Sequence, residues 1–592
     1  ARDLSFWLGE KQGAHIVLDW KPNDRVVGVF KKGRKKRKAS ERPLLFHSLA
    51  SAHSDCPSDV EIDLGKVPEN TTTKERIAIE GTKKWASVKS GGVLLLAASR
   101  PKAVNRAESL AKNRPKVEKY PSIDLVCRFL DTEAGGDHPL SHLLKRGVAF
   151  HHAGLSPEAR YFVERLVEES SISIICATTT LAQGVNFPLS AAVIEGYHRS
   201  KRIKGQWLKE EIKPWELWNI AGRVGRTLQD SVGTIAFAST GAKDIRKIQE
   251  FLMKDADIVV SSLIDTLAKL EGQDVTFGID LINSYKSLSA FLQFLVHALT
   301  VVGKESLREE LEDLLRSSFA YLEAQKKSQA MADQLIRLAK NYIDDLEHRK
   351  GSRLSAFAKL ADGTGFSSPS VDKIFFDWRD KTQLFDWKTV DLFPVEEKVS
   401  DTLSNVMRTL GTIPEIRLGD HESGTFNPVR IARITTAWVN GCSLLDIATN
   451  EYDGDLLECT RHIYSAITNL VPWGLRAIQK VSFAGRDDVE WAEMDLIPSM
   501  VFHGVRSKEA IALRMLNVPR FLAENMATRI RKLNISLEKV DAWLSETSKD
   551  DWSQSLPIGS SINGPECKLL WEIIDGHKPW KSINEMDMRN GS

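Results

Sequence analysis

The chain has 592 residues, 42% of them hydrophobic and 27% charged, with a formal net charge of only +2. This is the composition of an ordinary folded, soluble protein too long for one core, so about three to five domains are expected. A near-neutral chain sets up no global field for polyanions, so any nucleic-acid binding must come from local patches.

The longest apolar segment, Phe291–Val302, is interrupted by Gln293 and His297 and is too short to span a bilayer, so no membrane association is expected. The N-terminus, Ala1-Arg-Asp-Leu, lacks the charged-then-apolar pattern of a signal peptide. The six cysteines are far apart, with no Cys-x-x-Cys pair. They read as scattered thiols in a reducing, cytoplasmic setting, with no disulfide and no metal site.

In chain order, Ile16–Trp20 and Arg25–Phe30 are short β-rich runs around a Pro22-Asn23-Asp24 turn. Between Lys31 and Lys38 seven of eight residues are basic, either a solvated loop or a phosphate-contacting one. Ser54–Thr73 is polar and reads as a loop or insertion. Gly91–Ala98 is a buried-strand signal, an apolar run after glycines, and Lys102–Lys112 reads as a helix. Arg146–Phe150 is a second strand, followed by His151-His152-Ala153-Gly154-Leu155. Ser156-Pro157-Glu158 starts a helix with Ser at the N-cap and Pro at N1. Further strands are expected at Ile172–Ala177, Ala192–Glu195 and Gly233–Ala238. Strands alternating with helices imply a parallel α/β sheet that binds ligands at its strand carboxyl ends.

Trp218–Arg226 reads Trp-Asn-Ile-Ala-Gly-Arg-Val-Gly-Arg. Its two arginines, Arg223 and Arg226, carry permanent planar charge suited to phosphate. Gly222 and Gly225 lack a Cβ and leave room for another surface to approach. Upstream, His198–Lys209 places Gly205 between polar, β-capable arms, the pattern of a hairpin or of a basic connector.

Beyond residue 240 helical periodicity dominates. Leu288–Val302, Glu305–Phe319, Met331–Arg349 and Leu456–Leu470 read as helices, and Pro472-Trp473-Gly474 should break or kink the last. Ile431, Ile434, Trp438 and Leu445 recur at helical spacing, and Leu360–Pro369 reads as a turn region. Glu509–Met515 and Phe521–Lys532 form a helix–turn–helix around Asn517-Val-Pro-Arg520. Nothing after Lys549 is assignable.

Taken together these stretches resemble the second RecA-like domain of a superfamily-two helicase of the Ski-like subfamily. Gly91–Arg100 resembles motif IV, and His-His-Ala-Gly-Leu at 151–155 is close to a subfamily hallmark. Ala177–Pro188 resembles motif V, Thr-x-x-Leu-Ala-x-Gly-Val-Asn-x-Pro. Asn219–Arg226 resembles motif VI, Gln-x-x-Gly-Arg-x-Gly-Arg, with Asn219 in place of Gln. Ala1–Gly9 is similar to the stretch that follows motif III. The sequence holds no Gly-x-x-x-x-Gly-Lys-Ser/Thr and no Asp-Glu-x-His or Asp-Glu-Ala-Asp. The first RecA-like domain, with the phosphate cradle and the magnesium carboxylates, is therefore expected outside these residues.

The resemblance implies an α/β RecA-like domain followed by mostly helical domains, including a winged helix and a helical bundle. The expected boundaries are 1–15 for the end of the first RecA-like domain, 16–245 for the second, 250–370 for the winged helix, 371–500 for the ratchet bundle and 501–592 for a helical hairpin and tail. It implies ATP and Mg2+ as cofactors, with Arg226 as the arginine finger beside Arg223, and Asn219, Gly222, Gly184 and Asn186 at the nucleotide. It places Thr179, Thr180, Ser99, Arg100 and His152 on the nucleic-acid backbone and Trp207, in a strand-separating hairpin, on a terminal base pair. Leu456–Leu470 would be the ratchet helix, with Arg461 and His462 as contacts. Leu513–Ala523 resembles a helix–hairpin–helix with Asn517 where glycine is usual; a plain packing hairpin is the alternative.

The activity implied is ATP-dependent 3′-to-5′ unwinding, with DNA carrying a single-stranded 3′ overhang or fork as substrate. RNA unwinding, or a non-catalytic scaffold without its own ATPase half, is the alternative. The divergent C-terminal half is similar in character to the helicase subunit of Hachiman-type anti-phage systems, implying a nuclease partner.

Overall fold

The computed structural model describes residues 24–34, 40–51, 58–88, 91–117, 120–152, 154–178, 189–203, 206–212, 214–225, 232–253, 262–270, 275–378, 387–395, 399–416, 418, 426–487 and 489–584. The first half is built on one eight-stranded sheet of order β3-β2-β1-β10-β7-β4-β6-β5. Its strands are β1 (Asp24–Lys32), β2 (Glu41–Ser51), β3 (Glu61–Pro68), β4 (Gly92–Leu96), β5 (Val148–His151), β6 (Ile174–Ala177), β7 (Leu189–Ile194) and β10 (Val232–Ala238). A separate antiparallel pair, β8 (His198–Ile203) and β9 (Gln206–Glu211), stands between β7 and β10 in sequence.

From β1 to β5 every neighbouring pair is parallel. The central strands β4, Gly-Val-Leu-Leu-Leu, and β7, Leu-Ser-Ala-Ala-Val-Ile, are buried along their whole length. A parallel strand covered on both faces has no polar face to show, so its sequence is a continuous apolar run. The sheet is nevertheless mixed, not wholly parallel: β2 and β3 add antiparallel strands to the β1 edge. β2 alternates buried and half-buried residues with the period of a strand that has one covered face. β3 lies inside the stretch expected to be a loop. Its polar, largely exposed sequence carries almost no strand signal, and it is a strand because β2 supplies hydrogen-bonding partners.

The helices that cover the sheet start where the sequence places them. Ser156 caps the Pro157–Glu168 helix by accepting the Ala159 N–H at 3.1 Å, with Pro at the first position. The remainder is helical. Between 262 and 378 no strand occurs among the described residues, so the β wing that a winged helix requires is not seen there. The expected turn region at 360–369 is mostly helix: Leu354–Thr364 ends on Gly365 in the left-handed conformation, φ +71°, and Ser368–Trp378 follows.

The expected ratchet helix runs on past its proline. Leu456–His462 leads through one π turn, Ile463–Ile467, into Thr468–Ser482, which contains Pro472. The wide turn frees the Tyr464 carbonyl, and the side chains of Thr468 and Asn469 donate to it. The Lys508–Met515 and Arg520–Lys532 helices form the expected hairpin, with Asn517 at φ +61° where the motif favours glycine. Its turn amides are already used. Asn517 N–H donates to the Arg514 carbonyl at 3.1 Å and Val518 N–H to the Leu513 carbonyl at 3.0 Å. Arg520 lies 3.8 Å over the Trp438 ring and donates to the carbonyls of Gly504, Trp438 and Cys442. The hairpin therefore packs, and those amides are not offered to phosphate.

The unassigned C-terminal residues clasp the α/β domain. Arg128 holds Glu566 with a fork, 2.7 Å at its shorter contact, and Trp580 Nε1 donates to Glu169 at 2.9 Å. Among the described residues no helix is long and apolar enough to cross a membrane.

Candidate nucleic-acid interface and nucleotide-facing turn

Because β1, β10, β7, β4, β6 and β5 run parallel, the loops at their carboxyl ends lie along one edge of the sheet. That edge gathers Ser99 and Arg100 after β4, His152 and Gly154 after β5, Thr178 after β6 and the β8–β9 pair after β7.

Arg100 opens the Arg100–Ala111 helix, half-buried, with Ser99 at the N-cap position but making no side-chain cap bond. Burial, and then the charge of Arg461, hold the Arg100 pKa below its ordinary value. Two arginines from opposite halves of the chain thus lie near enough to repel each other. Arg461 arrives from the Leu456–His462 helix, almost fully buried, with its Nε 2.7 Å from Glu458. Gly154 permits the approach. A Cβ there would lie 3.0 Å from Arg461 Cβ and Cγ and 3.1 Å from His152 Nδ1.

His152 is 4% exposed, stacked on Phe150 at 5.3 Å, and accepts the Gly154 N–H on Nδ1. Burial, then the Arg100 charge, push its pKa down to about 3, so the ring is neutral. In this arrangement His152 shapes the loop and presents no open surface. The neighbouring His151 is likewise buried, with Nε2 3.0 Å from Glu164 Oε1. His462, expected to contact nucleic acid, follows Arg461 on the same helix. It is 2% exposed and hydrogen-bonded to the Tyr452 hydroxyl, because one residue along a helix turns the side chain from Arg461's side into the bundle core.

Sequence reasoning missed the contacts made by the residues just after the 151–155 loop. Ser156 donates to Glu133 at 2.9 Å, and Glu158 pairs with Arg514 of the C-terminal hairpin at 3.1 Å. Burial, then the like charge of Glu158, raise the Glu133 pKa to about 8. Only the Ser156-Pro157-Glu158 helix start was legible; a partner 356 residues away leaves no local signal.

The β8–β9 pair is the hairpin that the sequence suggests. Trp207 stands opposite Arg202 in its ladder. Its root is fixed by Arg106, 6% exposed, which forks onto Glu195 at 2.9 and 3.1 Å and meets Glu75 at 2.7 Å.

The Gly-Arg-x-Gly-Arg stretch follows the Pro214–Ala221 helix. Asn219 and Gly222 are exposed and Arg223 is half-buried. Val224 bridges to Leu189, and Gly225 donates its N–H to the Leu189 carbonyl at 2.8 Å with φ +96°. Gly225 is thus required by its own backbone, a reason different from the close approach of another surface expected from sequence. The turn is stitched to the sheet and carries the half-buried Arg223. Among the described residues no group of three or more His, Cys, Asp or Glu could hold a metal ion. Arg226, Thr179, Thr180, Gly184 and Asn186 lie outside the described residues, as does the side chain of Trp207.

No protein-family model matches the chain. It is 27% identical over 290 residues to the ATP-dependent DNA helicase Hel308 of Thermoplasma volcanium, covering 48% of this chain and 36% of that protein. It is 22% identical over 387 residues to Hachiman protein HamB of Bacillus cereus, covering 57% of this chain and 33% of that one. Hel308 of Thermoplasma acidophilum is 29% identical over 237 residues, with 38% and 32% covered. Each match spans about a third of the relative's length.

Proposed function

We propose, for a chain that is a relative of the Hel308 and Ski-like superfamily-two helicases, that it forms the second RecA-like domain and the DNA-gripping helical part of an ATP-driven helicase moving 3′-to-5′ on DNA. One observation carries this reading. Arg461 of the expected ratchet helix packs against Gly154 of the 151–155 loop, near enough to Arg100 of the motif IV segment for the two charges to repel. A strand passing the half-buried Arg100 would lie where the α/β domain and the helical part meet, which suits translocation.

The nucleotide side rests on Arg226 as finger and on Arg223, Asn219, Gly222, Gly184 and Asn186 around it. A guanidinium placed where charge develops on the transferring phosphate stabilises the transition state most. Mg2+ would neutralise charge on the phosphates when bound, its ligands and the phosphate cradle being proposed for the first RecA-like domain. Thr179, Thr180, Ser99 and Arg100 bear on the backbone phosphates, and the hairpin carrying Trp207 parts the duplex.

The HamB match covers more of this chain than the Hel308 matches, 57% against 48% at most. It favours a place in a defence system with a partner subunit, for which a nuclease is the proposed chemistry.

The test is Arg226→Ala in the complete protein. ATP hydrolysis should fall by roughly 10³-fold while DNA binding is kept. Unchanged hydrolysis would overturn the finger assignment. Faster strand separation on matched RNA forks than on DNA forks would make the substrate RNA.

A further inference from the structure

The basic run that begins at Lys31 has no place in the reading above. Its first residues line a cleft of about 670 Å3 at the carboxyl ends of β1 and β10. Lys31, Lys32, Arg34 and Arg42 form its cationic wall, and the loop after β10, Ser239 to Gly241, closes the other side.

The charges do not cancel. Lys31 meets Glu61 at 2.5 Å, and Arg42 forks onto Glu69 at 2.8 Å in both contacts. Among the described residues Lys32 reaches only the Glu69 carbonyl, at 3.4 Å, and Arg34 is exposed. Four cations against two carboxylates leave two positive charges over an open, solvated cleft. The Ala242–Leu252 helix begins at the same cleft with Gly241 as its N-cap, which adds partial positive charge.

The far end of that helix marks the position of the cleft. Phe251 stacks on Tyr197 at 5.5 Å, and Tyr197 is the residue before β8. From Ala242 to Phe251 is about 14 Å at 1.5 Å per residue. Successive phosphates of one duplex strand advance about 3.4 Å, so the distance is about four steps.

We propose that this cleft, with Lys32 and Arg34 as its available cations, binds a backbone phosphate of the duplex arm about four base pairs ahead of the β8–β9 hairpin. This rests on the reading of the hairpin as the strand-separating element. The shared chemistry is a phosphate, and an open cleft walled by long cationic side chains suits a passing polyanion better than an enclosed small ion. Cations placed there hold the duplex in register with the hairpin without reading its sequence.

The test compares the complete protein with its Lys32→Ala/Arg34→Ala variant on three DNAs: single-stranded, forked with a two-base-pair arm, and forked with a twelve-base-pair arm. Affinity is measured by fluorescence anisotropy over a salt series. The variant should lose about tenfold on the long-armed fork at low salt, and its salt slope there should fall by about 2, about one for each phosphate-facing cation removed. Single-strand binding and single-strand-stimulated ATP hydrolysis should not change. Equal loss on all three DNAs, or no loss on the long arm, overturns the proposal. So does competition by inorganic phosphate at constant ionic strength without dependence on arm length, which would make the cleft a free-phosphate site. Thermal unfolding of the variant within about 2 °C of the parent excludes misfolding, and Lys32→Gln/Arg34→Gln repeats the test if it does not. A parent protein that binds and separates forks beside an indistinguishable variant refutes the cleft alone. A parent that shows no preference for forks refutes the helicase reading and the cleft with it.

Discussion

Glu133→Gln tests the half-buried acidic pair Glu133 and Glu158. Burial and the neighbouring Glu158 raise the carboxyl's pKa from an ordinary 4.5 to about 8. A carboxyl whose folded pKa lies above its unfolded value contributes stability that is fully present below pH 4.5 and is lost as pH rises through 8. At about 1.36 kcal/mol per pH unit, the loss between pH 5.5 and pH 8 is at most about 3 kcal/mol. Glutamine cannot ionise, and its amide oxygen still accepts from Ser156. The stability difference, variant minus parent, should therefore grow by roughly 1–3 kcal/mol from pH 5.5 to pH 8. Equilibrium urea unfolding at the two pH values measures it, with hydrogen exchange of the Pro121–Ala134 helix as the local readout. A difference that stays constant, or a variant that becomes less stable toward pH 8, refutes the reasoning. The second outcome would mean that Glu133 is ionised and held by Arg514 and Arg520, with charge pairing outweighing desolvation.

Two further substitutions address the interface. Gly154→Ala puts a Cβ 3.0 Å from Arg461 and should displace that side chain. Single-stranded DNA affinity by anisotropy should drop about as far as in Arg461→Ala, and the double variant should lose little more; additive losses would show that the two residues act separately. Trp207→Ala should slow strand separation on a forked duplex about tenfold, consistent with the loss of one stacking contact. ATP hydrolysis on single-stranded DNA should stay unchanged, and a parallel fall in hydrolysis would place Trp207 outside duplex opening.

Much of the α/β half is legible in the sequence because parallel strands covered on both faces must be apolar runs. β4 and β7 are such runs, and the Ser156-Pro157 helix start and the hairpin around Gly205 carry their own local signals. β3 was not legible, since a polar edge strand owes its conformation to β2. The turn at 360–369 is shorter than expected, because helix occupies all of it but Gly365, Phe366 and Ser367. Pro472 does not end the helix, whose ladder is already irregular at the π turn one turn upstream.

The sequence by itself determined which residue types stand at the strand ends and in what order, because those motifs are local and their chemistry is in the side chains. Only the tertiary structure decided which of them share a site. Arg461 comes to Arg100, while His462, one residue further on, turns into the core. Glu158 meets Arg514, and the first residues of the basic run meet the start of the Ala242–Leu252 helix. Long-range packing sets these pairings, and a contact between residues hundreds of positions apart leaves no periodicity in either segment.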